Sequence, residues 1–343
     1  MNHRIVALTA AALLACTPPA LAWGTKGHTI VNHLAALSLP GRVPAFLTTP
    51  ASVYEIADLG PELDDLKDSG ASWDGDYDNG HFLDLLDDGT IAGVVKPGAM
   101  PKDREDYELA LEAAHTDEFK QGYLPYSILD GWQQLRKDFA YWRVDDYLAR
   151  RGATAELKRH GLRQRAIEEQ LIVRDLGVWG HFLGDGCQPL HVTVHYNGWG
   201  DYPNPKNYTE DPHTHSMFES AFVNKFVSEG QVAKFMKPRS AYAAPTALLT
   251  QDAVMSDIMQ YLLATGATVP HLYDIEKAGG FAKGTPEAVS FTSAQLARGA
   301  MELRDMSALA WQDSIHETVG YPNIAVSDIL SGKAHWPQKP ANQ

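Results

Sequence analysis

The chain of 343 residues carries 43 acidic and 29 basic side chains, a formal net charge of −14, and 44% of its residues are hydrophobic. That balance excludes a polyanion-binding surface of the usual basic kind, and the length suffices for one large domain or two small ones. Two cysteines, Cys16 and Cys187, exclude a scaffold built on several disulfides.

Residues 1–22, MNHRIVALTAAALLACTPPALA, read as an export leader. Arg4 supplies the positive start, Ile5 to Ala15 the apolar stretch, and Ala20-Leu21-Ala22 a small-x-small cleavage site. The apolar stretch is too short to span a bilayer and no later one approaches a membrane helix. The expectation is therefore an exported protein, periplasmic or secreted, with no transmembrane segment. Cleavage after Ala22 makes Trp23 the new N-terminus. The string LLAC carries an alternative, a lipid anchor at Cys16. Simple cleavage removes one basic and no acidic residue, leaving 28 basic and 43 acidic side chains. Cys187 is then the remaining thiol, read as a small buried filler.

AWGTKGHTIVNHLAAL sets His28 five residues after Trp23. PELDDLKDSGASWDGDYDNGHFLDLLDD follows, a dense acidic run ending at His81 and Phe82. Trp132, Leu135, Phe139 and Trp142 fall three or four apart, the spacing of an amphipathic helix. RQRAIEEQLIVRDLGVWGHFLGD continues as a second long helix with His181 and Asp185 near its end, and residues four apart project from one helical face. Pro189 fixes the backbone before His191. DPHTHSMFESAF places His215 and Glu219 four apart on a new helix. Thr285 and Pro286 are cap and first-turn signals for a helix running past Trp311. Gly, Asp, Asn and Pro cluster at 68–80, 94–103 and 197–212, which read as long loops. The tail after Ile329 is polar and expected to be loose. With no sustained alternation and no internal repeat, the predicted fold is all-α: a single mostly helical domain over 23–328, between the leader 1–22 and a flexible tail 329–343.

Each histidine or i, i+4 pair taken alone is read most simply as a surface hydrogen bond, and the acidic run as a solvated loop. Four histidine-bearing segments, each with a nearby carboxylate or the new N-terminus, add up to nitrogen and oxygen ligands without thiolate. That donor set suits zinc sites that keep positions open for water. There is no HExxH, no phosphate-binding glycine loop and no GxSxG.

The start WGTKGH, then HFLD, HFLGDGCQPLH and a His/carboxylate pair at i, i+4, resembles the trinuclear-zinc phosphodiesterase superfamily. That superfamily holds the single-strand-specific nucleases of the S-one/P-one type and the bacterial zinc-dependent phospholipases C. The resemblance covers Trp23 to Glu219 and implies a helical fold of that kind with three Zn2+ ions. It assigns Trp23, through its free α-amine and carbonyl oxygen, with His28 and one oxygen of Asp185 to the first. His81, His181, the other oxygen of Asp185 and an acidic residue of PELDDLK go to the second. His191, His215 and Glu219 go to the third. Asp64 is chosen over Asp65 because the family nucleases carry a basic residue three positions on, and Lys67 fits Asp64 alone. The family has Arg there, so Lys67 lacks the bidentate fork.

The implied reaction is attack of a metal-activated water on phosphorus, with Asp64 orienting the water, Asp185 bridging two zincs and Lys67 stabilising charge. In the nuclease branch Phe82 stacks an unpaired base and Asp84 bonds it, giving single-stranded DNA or RNA as substrate and 5′-phosphate products. The phospholipase alternative rests on Glu219 as the last ligand and the string HSMFE. Tyr196, Trp199 and Tyr202 suit stacking on bases, caging of a choline cation, or simple loop packing. A third reading is an exported non-enzymatic domain stabilised by zinc. No stable protein partner is expected.

Overall fold

The computed structural model describes residues 23–67, 77–238 and 245–336. The predicted leader, residues 68–76 of the first predicted loop and the end of the predicted tail, 337–343, lie outside them. The described chain is mostly helical, as expected, and its framework is a pair of long helices. Helix α4, Leu124–Arg151, and helix α5, Ala155–Gly186, run antiparallel through a tight turn. The Thr154 side chain caps α5 by accepting from Leu157 N at 3.1 Å. Leu124, Ile128, Leu129, Trp132, Leu135 and Phe139 form the buried stripe of α4.

Among the helices before this pair are α1 at Gly24–Leu37, α2 at Pro50–Asp58 and α3 at Glu62–Leu66. After it come α6 at Gln251–Gly266, α7 at Val269–Lys277 and the long α8 at Pro286–Asp313. Helix α8, with Pro286 in its first turn and capped by Thr285, packs against α1, α4 and α5. The loops expected at 94–103 and 197–212 are loops, apart from a single 3-10 turn at Pro97–Ala99.

Helices α1, α2 and α5 are held together by one buried amide. Asn32 Nδ2 donates to Ile56 O at 2.8 Å and to Gly177 O at 2.7 Å. The approach requires missing side chains on α5. A Cβ at Gly180 would lie 2.1 Å from Asn32 Oδ1, and one at Gly184 would lie 2.6 Å from His28 Nδ1. The last two turns of α5 therefore run through the core, with α1 against them.

Two features depart from the sequence reading. A small antiparallel hairpin pairs β1, Thr318–Val319, with β2, Ile324–Ala325. The chain beyond Ile329, expected to be loose, is held to α4 as far as Trp336. Val319, Val326 and Ile329 bury against Ala140 and Val144, and Trp336 Nε1 donates to Asp145 Oδ1 at 3.2 Å. Apolar residues spaced along a polar segment supply that anchor. Among the described residues, no helix is long and apolar enough to cross a membrane.

Candidate metal centre

Three groups of buried side chains converge where α1, α3 and the end of α5 meet the turns after Asn79 and Gln188. They are His28, His181 and Asp185; Asp64, His81 and His181; and His191, His215 and Glu219. Each could hold a metal ion, and His181 and Asp185 join the first two. Asp185 Oδ2 lies 2.9 Å from His81 Nδ1 and 3.4 Å from His181 Nε2, while Oδ1 lies 3.6 Å from His28 Nε2 and 3.7 Å from His191 Nδ1. The helical period does this work: His181 and Asp185 share one face of α5, and the tight turn after it returns His191.

Backbone carbonyls set the orientation of two rings. His181 Nδ1 faces Gly60 O at 2.8 Å and His191 Nδ1 faces His81 O at 2.7 Å. A carbonyl only accepts, so both rings carry a proton on Nδ1 and turn their Nε2 toward the cluster. This is the arrangement in which an outer hydrogen bond fixes a ligating histidine. Asp64 Oδ1 lies 3.5 Å from His181 Nε2 and 2.9 Å from Lys67 Nζ, with Oδ2 3.9 Å from His28 Nε2. Its neighbour Asp65 is exposed.

The third group gathers on an irregular helix. Thr214–Ser216 is α-helical, Met217–Phe222 winds as a π-turn, and Val223–Phe226 resumes the α form. The new helix expected at His215 is present, but the wider turn was not foreseen; such turns recur at functional sites. His215 Nε2 lies 2.9 Å and His191 Nε2 3.5 Å from Glu219 Oε2.

The donors fit a cation. His28 Nδ1 and Nε2, His81 Nε2, Asp64 Oδ2, Asp185 Oδ1, His191 Nε2 and Glu219 Oε1 are all buried without a hydrogen-bond partner. Buried polar atoms are rarely left so, and a run of them in one cluster is what a metal ion satisfies. The protonation preferences agree. Burial holds His28, His81 and His181 well below the ordinary histidine range, with the stacked His181 ring adding to the effect on His28 and Lys67 to that on the other two. Neutral imidazole is the ligating form. Burial pushes Asp185 up to about 8, against the pull of His191 and Lys67. Burial also acts on Glu219, but the His215 and His191 contacts overcome it and bring the carboxyl down to about 2. Burial opposes a charged Lys67 as well, and Asp64 more than offsets it.

Trp23, the first described residue, is wholly buried. Its Nε1 donates to Gly184 O at 2.8 Å and its ring tilts against Phe218 at 5.3 Å. Its carbonyl accepts from Gly27 N at 3.2 Å, and its φ of 27° lies in the left-handed region that a tryptophan rarely adopts. The backbone of Trp23 is thus pinned one turn before His28.

The cluster opens into a cleft of about 290 Å³ lined by Lys67, His81, Phe82, Asp84, His191 and Tyr196, among others. Phe82 and Asp84 thus belong to its wall, and burial raises the Asp84 carboxyl well above its ordinary range. Of the three loop aromatics, Tyr196 alone lines this cleft. Trp199 is buried, stacked on His195 at 3.8 Å, and Tyr202 stands edge-on to the same histidine at 5.0 Å. Cys187 is buried against Gly184 O and Gly299, as its reading as filler expects.

The sequence reading missed Gln188. Its Oε1 accepts from Leu190 N at 2.7 Å, which turns its Nε2 toward Glu219 Oε2 at 3.0 Å and His215 Nε2 at 2.9 Å. The one available signal was a polar residue inside an otherwise apolar turn. Comparison of the chain with protein-family models, curated proteins and solved structures finds no match.

Proposed function

We propose that the chain is an exported, zinc-dependent phosphodiester hydrolase that cleaves single-stranded DNA or RNA to 5′-phosphate products. One observation carries the reading: three ligand clusters, two of them joined by the fully buried Asp185, adjoin a cleft that His81, His191 and His215 line together with the aromatic ring of Phe82. A carboxylate shared between ligand sets has little purpose in an isolated structural site.

Three Zn2+ ions are the proposed cofactors: one on Trp23, His28 and Asp185, one on Asp64, His81, His181 and Asp185, and one on His191, His215 and Glu219. Bound there, zinc supplies an acidified water and positive charge for phosphoryl oxygens. The remaining chemistry belongs to side chains. Asp64 accepts a hydrogen bond from the attacking water and orients it. Lys67, held by Asp64 at 2.9 Å and lining the cleft, places its ammonium against the phosphodiester. Phe82 stacks a base, and Asp84 hydrogen-bonds that base. A duplex hides those faces, hence the preference for single strands. Residues 1–22 serve as a cleaved leader in this reading, since an acylated Trp23 nitrogen cannot bind zinc.

The test is hydrolysis by the zinc-loaded chain beginning at Trp23, with single-stranded DNA, RNA and phosphatidylcholine side by side and a chelated control. Polynucleotide cleavage to 5′-phosphate ends supports the proposal. Release of phosphocholine alone moves the chain to the phospholipase reading. A chain that unfolds on chelation and cleaves nothing when zinc-loaded is the non-enzymatic, zinc-stabilised domain.

A further inference from the structure

Behind His81 lies a second ring-lined cleft, of about 350 Å³, that the proposed mechanism does not use. It shares no lining residue with the first. The two meet at His81, which lines the first, while the rings of Phe182 and Tyr77, which line the second, stand 5.3 Å and 6.0 Å from the His81 ring. Aromatic residues of both clefts thus border this one histidine of the candidate metal centre.

The second cleft is rigid where it is aromatic. Trp179 is buried, its Nε1 donating to Ile128 O at 2.9 Å, and Gly131 leaves room for its ring, since a Cβ there would lie 2.0 Å away. Tyr123 is covered on one face by the Arg104 guanidinium at 3.6 Å. Arg104 in turn is engaged by both oxygens of Glu118, so the cation at the rim is already neutralised. The other charged groups lining the cleft are the carboxylates of Asp130 and Asp175, the latter accepting from Arg174 at 2.6 Å. Rings with acidic acceptors and a spent cation disfavour a second phosphate and favour a flat ring bearing N–H donors.

We propose that this cleft is a second nucleobase subsite, selecting an amino-bearing base on the far side of the scissile bond from the base on Phe82. The inference rests on the nuclease reading, but its first test does not require cleavage. Adenosine and uridine are titrated into the metal-free protein and their binding followed by ligand-observed NMR. Adenosine is expected at two sites. Phe82→Ala removes one, Tyr77→Ala removes the other, and Asp130→Ala abolishes the preference for adenosine over uridine at the latter. Adenosine binding that Tyr77→Ala and Asp130→Ala both leave unchanged overturns the proposal, as does a cleft that takes choline and no nucleoside.

The second test uses zinc-loaded protein and short oligonucleotides with an abasic residue on one side of the cut. An abasic residue on the far side should lower kcat/KM about tenfold in the parent and hardly at all in Tyr77→Ala. An equal loss in both proteins sinks the subsite while leaving the nuclease reading intact. Two adenosine sites without any oligonucleotide cleavage would sink the nuclease reading and keep the nucleoside site.

Discussion

Asp185 and Glu219 are both wholly buried carboxyls of one cluster, yet they are driven in opposite directions, Asp185 to about 8 and Glu219 to about 2. The difference lies in their neighbours. Glu219 has His215 at 2.9 Å and the Gln188 amide at 3.0 Å, whereas at Asp185 burial, reinforced by the charges of Asp64 and Glu219, prevails over the pull of His191 and Lys67. In the metal-free protein burial thus favours the protonated form of Asp185, whereas its histidine contacts favour the ionised form of Glu219.

An entering cation must expel that proton. Zinc titration of the metal-free protein in weak buffer at pH 7 should release acid, and Asp185→Asn should abolish the part due to this carboxyl. The same variant should lose the zinc of the two joined clusters and most hydrolytic turnover. Asp185→Asn with full zinc content and near-full turnover would remove Asp185 from the bridging role.

Gln188 should act on affinity rather than on fold. Its Oε1 is fixed by Leu190 N, so its Nε2 can only serve the Glu219 side. Gln188→Ala should weaken zinc at the third cluster about 10–100-fold, measured against a competing chelator, with far-ultraviolet circular dichroism unchanged. Affinity within threefold of the parent would make Gln188 a packing residue.

Gly184 gauges the distance between α1 and α5. A methyl group there would meet His28 Nδ1 at 2.6 Å, so Gly184→Ala should displace His28 and cost about 1–3 kcal/mol in stability. Zinc stoichiometry and thermal unfolding on one preparation check both effects. Unchanged zinc content would show that α1 can yield without loss of the site.

A pH dependence should also arise from a carboxyl outside the candidate ligand set. Burial, aided by the Asp175 carboxylate, pushes Asp138 on α4 up to about 7. A raised carboxyl binds its proton more tightly folded than unfolded. Its contribution is present below the ordinary carboxyl range near 4 and lost as pH rises through 7. Asp138→Asn keeps an oxygen for Gln134, which donates at 2.7 Å, and removes the charge. Its Tm should rise by about 2–4 °C at pH 8 and not at pH 4. A gain equal at both values would refute the titration.

Much of the candidate site was legible because its ligands follow local rules. His181 and Asp185, and His215 and Glu219, are i, i+4 pairs, and a helix brings such pairs together whatever else the chain does. The choice of Asp64 over Asp65 came instead from the resemblance, which implies a basic residue three positions on, and Asp64 is the one that faces the cluster. What escaped is what depends on distant packing. Gln188 reaches residues about thirty positions away by way of a tight turn, and the π-turn at Met217–Phe222 leaves no trace in residue spacing. The second cleft draws Tyr77, Tyr123, Trp179 and Phe182 from separate segments whose meeting only the fold decides. The long helices α4 and α5 were read from their patterns, and α8 from its cap and first-turn signals. The hold on Trp336 was not, because a few apolar residues in a polar tail carry no period.

The glycine face of α5 has a consequence for how this protein would tolerate change. His28 touches α5 at the residue preceding Asp185, and Asn32, one turn on, ties the same helix to α2. Any substitution that pushes α1 outward by the width of a methyl group therefore stretches ligand geometry before it opens the core. On the proposed reading, metal affinity becomes a strain sensor for three helices. Zinc, if bound, would act as a clamp whose loss is the earliest symptom of damage remote from the cluster itself.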